Sequence, residues 1–255
     1  MNRLFQLEDK VALITGSTRG LGRAIVRKFA EAGCKKIVLN SSTQRDEEIE
    51  SLKDELEEMG IECLYMRADV KKKTQVIEMF STVEEYFGQI DILVNNAGIL
   101  SEKITFTEIQ EYDWDRVMDT NLKGTFLCMQ EGIKHMLNRK TGVVVNISST
   151  AGVTGGSVGP QYGASKAGMI ALTKATSKMY ARDGIRINAV VPGDIKTEML
   201  EGILNNPAVY KERTGNIPMG RFSEPEEIAN AVLFLATPMS SFSTGAFVHA
   251  TGGRV

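Results

Sequence analysis

Short apolar runs alternate with helix-periodic segments along the chain, and this alternation limits the fold more than any other feature of the sequence. The runs are residues 11–15, 36–40, 62–66, 90–95, 143–148, 186–191 and 246–249. Between most of them lie segments of helical period, at 22–32, 44–59, 74–87, 114–137, 162–182 and 225–236. Within 44–59, for example, Ile49, Leu52 and Leu56 recur at a spacing that puts them on one helix face. Strand–helix alternation predicts βαβ units and a parallel sheet. Nearly continuous apolar runs are what strands covered on both faces require. The expected fold is α/β: a single-domain, Rossmann-type, doubly wound parallel sheet of about seven strands with helices on both faces. No Pro/Ser-rich linker or low-complexity tract interrupts the chain, so residues 1–255 are expected to form one unit.

Composition removes several classes. Lys plus Arg is 30 and Asp plus Glu is 32, a formal charge of −2. That balance does not suit a protein held to nucleic acid by phosphate contacts. No apolar stretch is long enough for a membrane span. The charged start MNRLFQLEDK lacks the apolar core of a signal peptide, so a cytoplasmic location is expected. Three widely spaced cysteines, Cys34, Cys63 and Cys128, offer neither a disulfide framework nor a structural zinc site. The two histidines, His135 and His249, are far apart in sequence. No metal is expected, and acid–base chemistry must come from other side chains.

The first apolar run ends in Thr15-Gly16-Ser17-Thr18-Arg19-Gly20-Leu21-Gly22 and opens onto a helical segment. Gly16 lets the chain turn off the strand, Gly20 lets backbone approach a pyrophosphate, and Gly22 lets the helix pack close to the sheet. Unpaired N–H groups and the positive dipole end at a helix N-terminus complete an anion site. No Lys-Ser/Thr follows the last glycine, so the loop does not match the ATPase pattern. A dinucleotide is therefore expected over residues Gly16 to Gly22. The second run leads into Asn40-Ser41-Ser42-Thr43, with no acid before Asp46. A ribose 2′-hydroxyl requires Asp or Glu at that place. Ser41 and Ser42 leave room for a 2′-phosphate, Arg19 gives it a partner, and Arg45 is a second candidate. The reading favours NADP(H) and leaves NAD(H) open.

Residues 143–168 read VVVNISSTAGVTGGSVGPQYGASKAG. A buried strand enters Ser148-Ser149, a Gly-rich loop follows, and a helix begins near Tyr162. Tyr162 and Lys166 are spaced i, i+4 and project from one helix face. A phenol near pKa 10 exchanges protons poorly at neutral pH. A fixed cation beside it lowers that value, and each unit is worth about 1.4 kcal/mol. Ser149 is placed to hold a substrate oxygen. The set supplies a proton donor without histidine.

Together these segments resemble the short-chain dehydrogenase/reductase family over essentially the whole chain. TGSTRGLG resembles its cofactor loop, Asp69-Val70 the pair that contacts adenine, and Asn95-Asn96-Ala97-Gly98 its signature after the fourth strand. Asn121, in DTNLKG, falls on the family's catalytic Asn. Ser149, thirteen residues before Tyr162, falls on its Ser, and YGASK supplies the Tyr-xxx-Lys. Pro192-Gly193, with Ile195 and Thr197, resembles the turn that holds the nicotinamide carboxamide. The resemblance implies an NAD(P)-dependent oxidoreductase acting on CH–OH groups. It implies that Ser149 and Tyr162 bind the carbonyl and that Tyr162 gives the proton. Lys166 would lower the Tyr162 pKa and hold the nicotinamide ribose. Asn121 would support a water-linked proton relay. Asn96, Ala97, Gly98, Tyr162 and Lys166 thereby join the cofactor contacts.

Within the family, IPMGRFSEPEEIANAVLFLAT is most similar to 3-oxoacyl-[acyl-carrier-protein] reductases. That implies reduction of a 3-oxoacyl thioester in fatty acid metabolism, with a small-molecule or acyl-carrier-bound substrate. Arg139 and Lys140 suit carrier docking. Asp183 after Arg182, and the ending His249-Ala250-Thr251-Gly252-Gly253, depart from the pattern. A dehydrogenase of a sugar alcohol or hydroxysteroid is the alternative. A non-catalytic cofactor-binding regulator would tolerate loss of Tyr162 or Lys166, and both are present. A methyltransferase would leave the NNAG and Tyr–Lys elements unexplained. The family also implies a homotetramer, and it implies a substrate lid at 198–218.

Overall fold

The computed structural model describes residues 5–254 apart from Lys103 and Ser157. Residues 1–4 of the charged N-terminus and Val255, both within the expected 1–255 unit, lie outside the described residues. All seven apolar runs form strands: β1 (Val11–Ile14), β2 (Lys36–Ser41), β3 (Glu62–Arg67), β4 (Ile92–Asn95), β5 (Gly142–Ile147), β6 (Ile185–Pro192) and β7 (Phe247–Ala250). They pair in the order β3-β2-β1-β4-β5-β6-β7, and each pairing is parallel. The helices are α1 (Gly20–Glu31), α2 (Asp46–Glu58), α3 (Lys73–Phe87), α4 (Glu111–Met118), α5 (Gly124–Arg139), α6 (Ala151–Thr154), α7 (Pro160–Tyr180), α8 (Glu201–Leu204), α9 (Pro207–Gly215) and α10 (Pro225–Ala236).

Successive strand residues face opposite sides of a sheet, and the core divides accordingly. Ala12 and Ile14 of β1 join Phe29 of α1, Leu52 of α2 and Val232 of α10 in one buried layer. Val11 and Leu13 join Phe80 of α3 and Ile133 of α5 in the other, with Leu172 of α7 against it. Two strands depart from burial on both faces, because β3 and β7 are the sheet edges: Glu62, Arg67 and His249 are exposed. Residues 114–137, expected as one helix, are interrupted. A π turn at Asp119–Lys123 separates α4 from α5, and such turns cluster at functional sites. Asn121 sits in it with its side chain fully buried. At the far end of α7, Arg182 lies in a separate 3-10 turn, Ala181–Asp183. No helix among the described residues is long and apolar enough to cross a membrane.

The chain runs outward from β1 to β3 and then crosses back to β4. Strand order therefore reverses between β1 and β4, and open α/β sheets bind ligands at the carboxyl ends of strands at such a point. Behind this crevice, the buried Asp91 carboxylate ties the two strands to the end of α5. It accepts from Val11 N at 2.8 Å, Gln89 Nε2 at 2.9 Å and Arg139 Nη1 at 2.9 Å. Replacing Asp91 by Ala leaves a backbone N–H and a guanidinium without their acceptor. The expected loss is about 3 kcal/mol of stability, measured by denaturant unfolding. A loss below about 1 kcal/mol, the range of an exposed ion pair, would contradict this placement.

Candidate active site

The loop after β1 is shaped by close backbone approach. Gly16 has φ +61° and Gly20 φ +49°, a region that side-chain-bearing residues rarely adopt. A Cβ on Gly22 would lie 2.1 Å from the Gly16 carbonyl oxygen and 2.8 Å from Ser17 Cα. Asn96, just after β4, clamps this loop: its Nδ2 donates to the carbonyls of Thr15 and Gly16, both at 2.9 Å. Thr15 Oγ1 in turn accepts from the backbone N–H groups of Asn96 and Ala97, both at 3.0 Å. The loops of β1 and β4 are thus one hydrogen-bonded unit at the reversal point.

A cavity of about 410 Å³ opens over this unit. Gly16, Thr18, Arg19, Gly20, Leu21 and Gly22 line it at the loop. Towards β2 and β3 the lining is Ser41, Ser42, Thr43, Arg45, Asp69 and Val70. No carboxylate stands at the end of β2. Ser41 Oγ is engaged internally, donating to Thr43 O at 2.7 Å and bonded to the Tyr65 hydroxyl at 2.8 Å. Arg19 pairs with Glu198 at 3.3 Å, and Arg45 with Glu48 at 2.9 Å. Towards β5 and β6 the cavity is lined by Ala97, Gly98, Ser149, Tyr162, Lys166, Pro192, Gly193, Ile195 and Thr197. One continuous space therefore joins the glycine loop to the tyrosine. Its donor set fits a phosphorylated dinucleotide, with backbone N–H groups at a helix N-terminus and two guanidiniums at one end.

Lys166 is buried, and its ammonium donates to the Ile147 carbonyl at 2.7 Å. Burial lowers its pKa to about 8. Tyr162 is half-buried at the mouth of the same cleft, with the Lys166 Nζ 5.8 Å from its ring centroid. Burial holds the phenol above its usual value, the neighbouring Ser149 hydroxyl draws it down, and the charge of Asp194 pushes it up. The sequence predicts a phenol pulled down by its lysine. The structure differs because low polarity disfavours the charged form of both groups, and the ammonium is directed at a carbonyl instead of the phenol oxygen.

Two of the expected site residues do not line the cavity. Ser17 is fully buried, and its hydroxyl accepts from Asn40 N at 2.8 Å, holding the glycine loop against β2. Asn121 stands behind the site. Its Oδ1 accepts from Ile99 N at 2.8 Å, and its Nδ2 donates to Ile99 O at 3.0 Å and Ser165 Oγ at 3.2 Å. It fastens the loop after β4 to the helix that carries Tyr162 and Lys166. Neither histidine lines the cavity. Several lining residues escape a sequence reading, among them Asp194, Arg213 and Arg254. An acid directly after the Pro192-Gly193 turn was a readable signal for the first. The other two lie far away in sequence and carry none.

Comparison with known proteins agrees with this geometry. A family model described as enoyl-(acyl carrier protein) reductase matches residues 16–254. The 3-oxoacyl-[acyl-carrier-protein] reductase FabG of Staphylococcus epidermidis is 38% identical over 245 residues, covering 96% of this chain and 98% of that protein. Among solved structures, a putative gluconate dehydrogenase from Agrobacterium tumefaciens superposes with a TM-score of 0.93 at 32% identity, covering 98% of both chains. A gluconate 5-dehydrogenase from Burkholderia cenocepacia, in complex with NADP and tartrate, gives 0.92 at 33% identity, covering 98% of this chain and 97% of that one.

The tight approach at Gly22 yields a direct test. Gly22→Ala forces a methyl into backbone atoms of Gly16 and Ser17. The expected cost is about 2 kcal/mol of stability, together with loss of NADPH binding in a fluorescence titration. Wild-type melting and wild-type affinity would contradict the cradle.

Proposed function

The chain belongs to the short-chain dehydrogenase/reductase family, and on that premise we propose an NADP(H)-dependent carbonyl reductase that converts 3-oxoacyl thioesters to 3-hydroxyacyl thioesters. One observation carries the reading. A tyrosine and a serine, with a buried lysine behind them, share one cavity with a glycine-loop cradle. The likeness to FabG proteins supports the thioester as substrate.

When bound, the nicotinamide cofactor supplies the hydride to the carbonyl carbon. Gly16 to Gly22 would hold its pyrophosphate, and Pro192, Gly193, Ile195 and Thr197 its carboxamide end. Ser149 and Tyr162 would hold the substrate oxygen by hydrogen bonds, which polarises the carbonyl as negative charge develops. Tyr162 gives its proton to that oxygen. A phenol kept neutral by burial is already in the proton-donor form at neutral pH. Lys166, with its pKa near 8, stands behind it as a group that exchanges protons in the working range. Asn121 acts as a positioning residue, setting the tyrosine–lysine helix against Gly98 and Ile99.

The absence of an acid at the end of β2, with Arg19 and Arg45 lining that end, supports NADP(H) over NAD(H). Residues 198–218 serve as the lid: Met199, Leu200 and Arg213 line the cavity from it, and Tyr210 packs on the buried Phe222 with ring centroids 5.0 Å apart. Of the two basic residues before β5, Arg139 is engaged by Asp91 and Lys140 is exposed, which leaves Lys140 for an acidic carrier. Exposed Phe106, Tyr112 and Phe126 around α4 and α5 support a homotetramer.

The test follows NADPH and NADH oxidation by acetoacetyl-CoA. NADPH is expected to be favoured by at least about tenfold, the worth of one charge-assisted bond to the 2′-phosphate, and Arg19→Ala to erode that preference. Preference for NADH would overturn the cofactor assignment. Oxidation of neither would overturn the function.

A further inference from the structure

Beyond the tyrosine, one wall of the active-site cavity is charged. Asp194 follows the Pro192-Gly193 turn, Arg213 comes from α9, and Arg254 from the C-terminal segment; all three line the cavity that holds Ser149 and Tyr162. Asp194 Oδ1 accepts from Arg213 Nη1 at 3.4 Å, and Oδ2 from Arg254 Nη1 at 3.0 Å. The Asp194 and Arg213 side chains are 16% and 17% exposed, and Arg254 35%. The carboxylate is close enough for its charge to reach the Tyr162 phenol.

An alkyl chain laid along this wall would strip water from the ions and offer nothing in return, which is costly. A small anion would be matched. Arg254 meets Asp194 through Nη1 alone, and its Nε and Nη2 have no hydrogen-bond partner among the described residues. A guanidinium presents five N–H donors in a planar fork that fits a carboxylate. Asp194, an acceptor only, suits hydroxyl groups.

We propose that Asp194 and Arg254, with Arg213 holding the carboxylate in place, form a recognition site for small hydroxylated oxo acids: the free carboxylate of the substrate sits on Arg254 and its hydroxyls on Asp194. This adds a second substrate class to the thioester reading. It rests on that reading's acid–base pair, because the same Tyr162 serves the carbonyl.

The test follows NADPH oxidation with three probes: 5-keto-D-gluconate, L-sorbose, in which CH2OH replaces the carboxylate, and acetoacetyl-CoA. The wild-type protein is expected to favour the keto acid over L-sorbose by at least about tenfold in kcat/KM, the worth of one hydrogen bond to a charged group. Arg254→Met lowers that ratio about tenfold, mainly through KM for the acid. Arg254→Lys, which keeps the charge but not the fork, restores part of it. Equal use of the acid and L-sorbose, or a ratio unmoved by Arg254→Met, overturns the inference. Turnover of acetoacetyl-CoA alone overturns it too and leaves the thioester reading standing. Turnover of none of the three overturns that reading as well.

Discussion

A lysine ammonium buried at the carboxyl end of β5 is the constraint around which the reaction end of the site is arranged. Among the described residues the Lys166 ammonium has one hydrogen bond, to the Ile147 carbonyl, and burial shifts its pKa to about 8. Keeping a cation there requires a helix that cannot slide. Ser148 Oγ donates to Lys166 O at 2.9 Å, pinning α7 to the end of β5. Asn146 of β5 donates to Thr173 Oγ1 at 2.8 Å, about two turns further along α7, and accepts from Asn95 of β4 at 2.8 Å. These are buried polar groups hydrogen-bonded to one another, and such networks fix an arrangement; within this one, Asn95 Oδ1 has no partner among the described residues. With Lys166 fixed, the i, i+4 spacing brings Tyr162 to the mouth of the cavity beside Ser149.

The cofactor end obeys a different constraint, one of space. The glycine loop is closed by backbone contacts that admit no Cβ at Gly22, and Asn96 binds it to the loop after β4. Asn121 then joins that same loop to α7. Cofactor cradle and acid–base pair are therefore linked through the few residues from Asn96 to Ile99. The π turn matters here because it turns Asn121 inward from a helix that otherwise runs on as α5.

How much of this was legible follows from what sequence patterns encode. Period and apolar runs report burial, so seven strands in the right places and a doubly wound parallel sheet could be read. Edge position is a property of the whole sheet, and so the exposure of β3 and β7 could not. The glycine spacing and the tyrosine–lysine spacing are local, and both were legible as motifs. The split of residues 114–137 was not, since buried positions recur at helical spacing on both sides of the π turn. Ser17 and Asn121 carry side chains that any pattern would aim at the ligand, yet neighbouring backbone claims them. The charged wall of Asp194, Arg213 and Arg254 assembles from three distant segments and becomes visible only when they meet.

In the proposed mechanism Tyr162 delivers the proton in a carbonyl reduction at this cavity. Single-turnover oxidation of bound NADPH by acetoacetyl-CoA, compared between the wild-type protein and Tyr162→Phe, tests it most directly. Tyr162→Phe is expected to bind NADPH with wild-type affinity while its turnover falls by about 1,000-fold, the scale of a lost general acid. Turnover within a few-fold of wild type would contradict it.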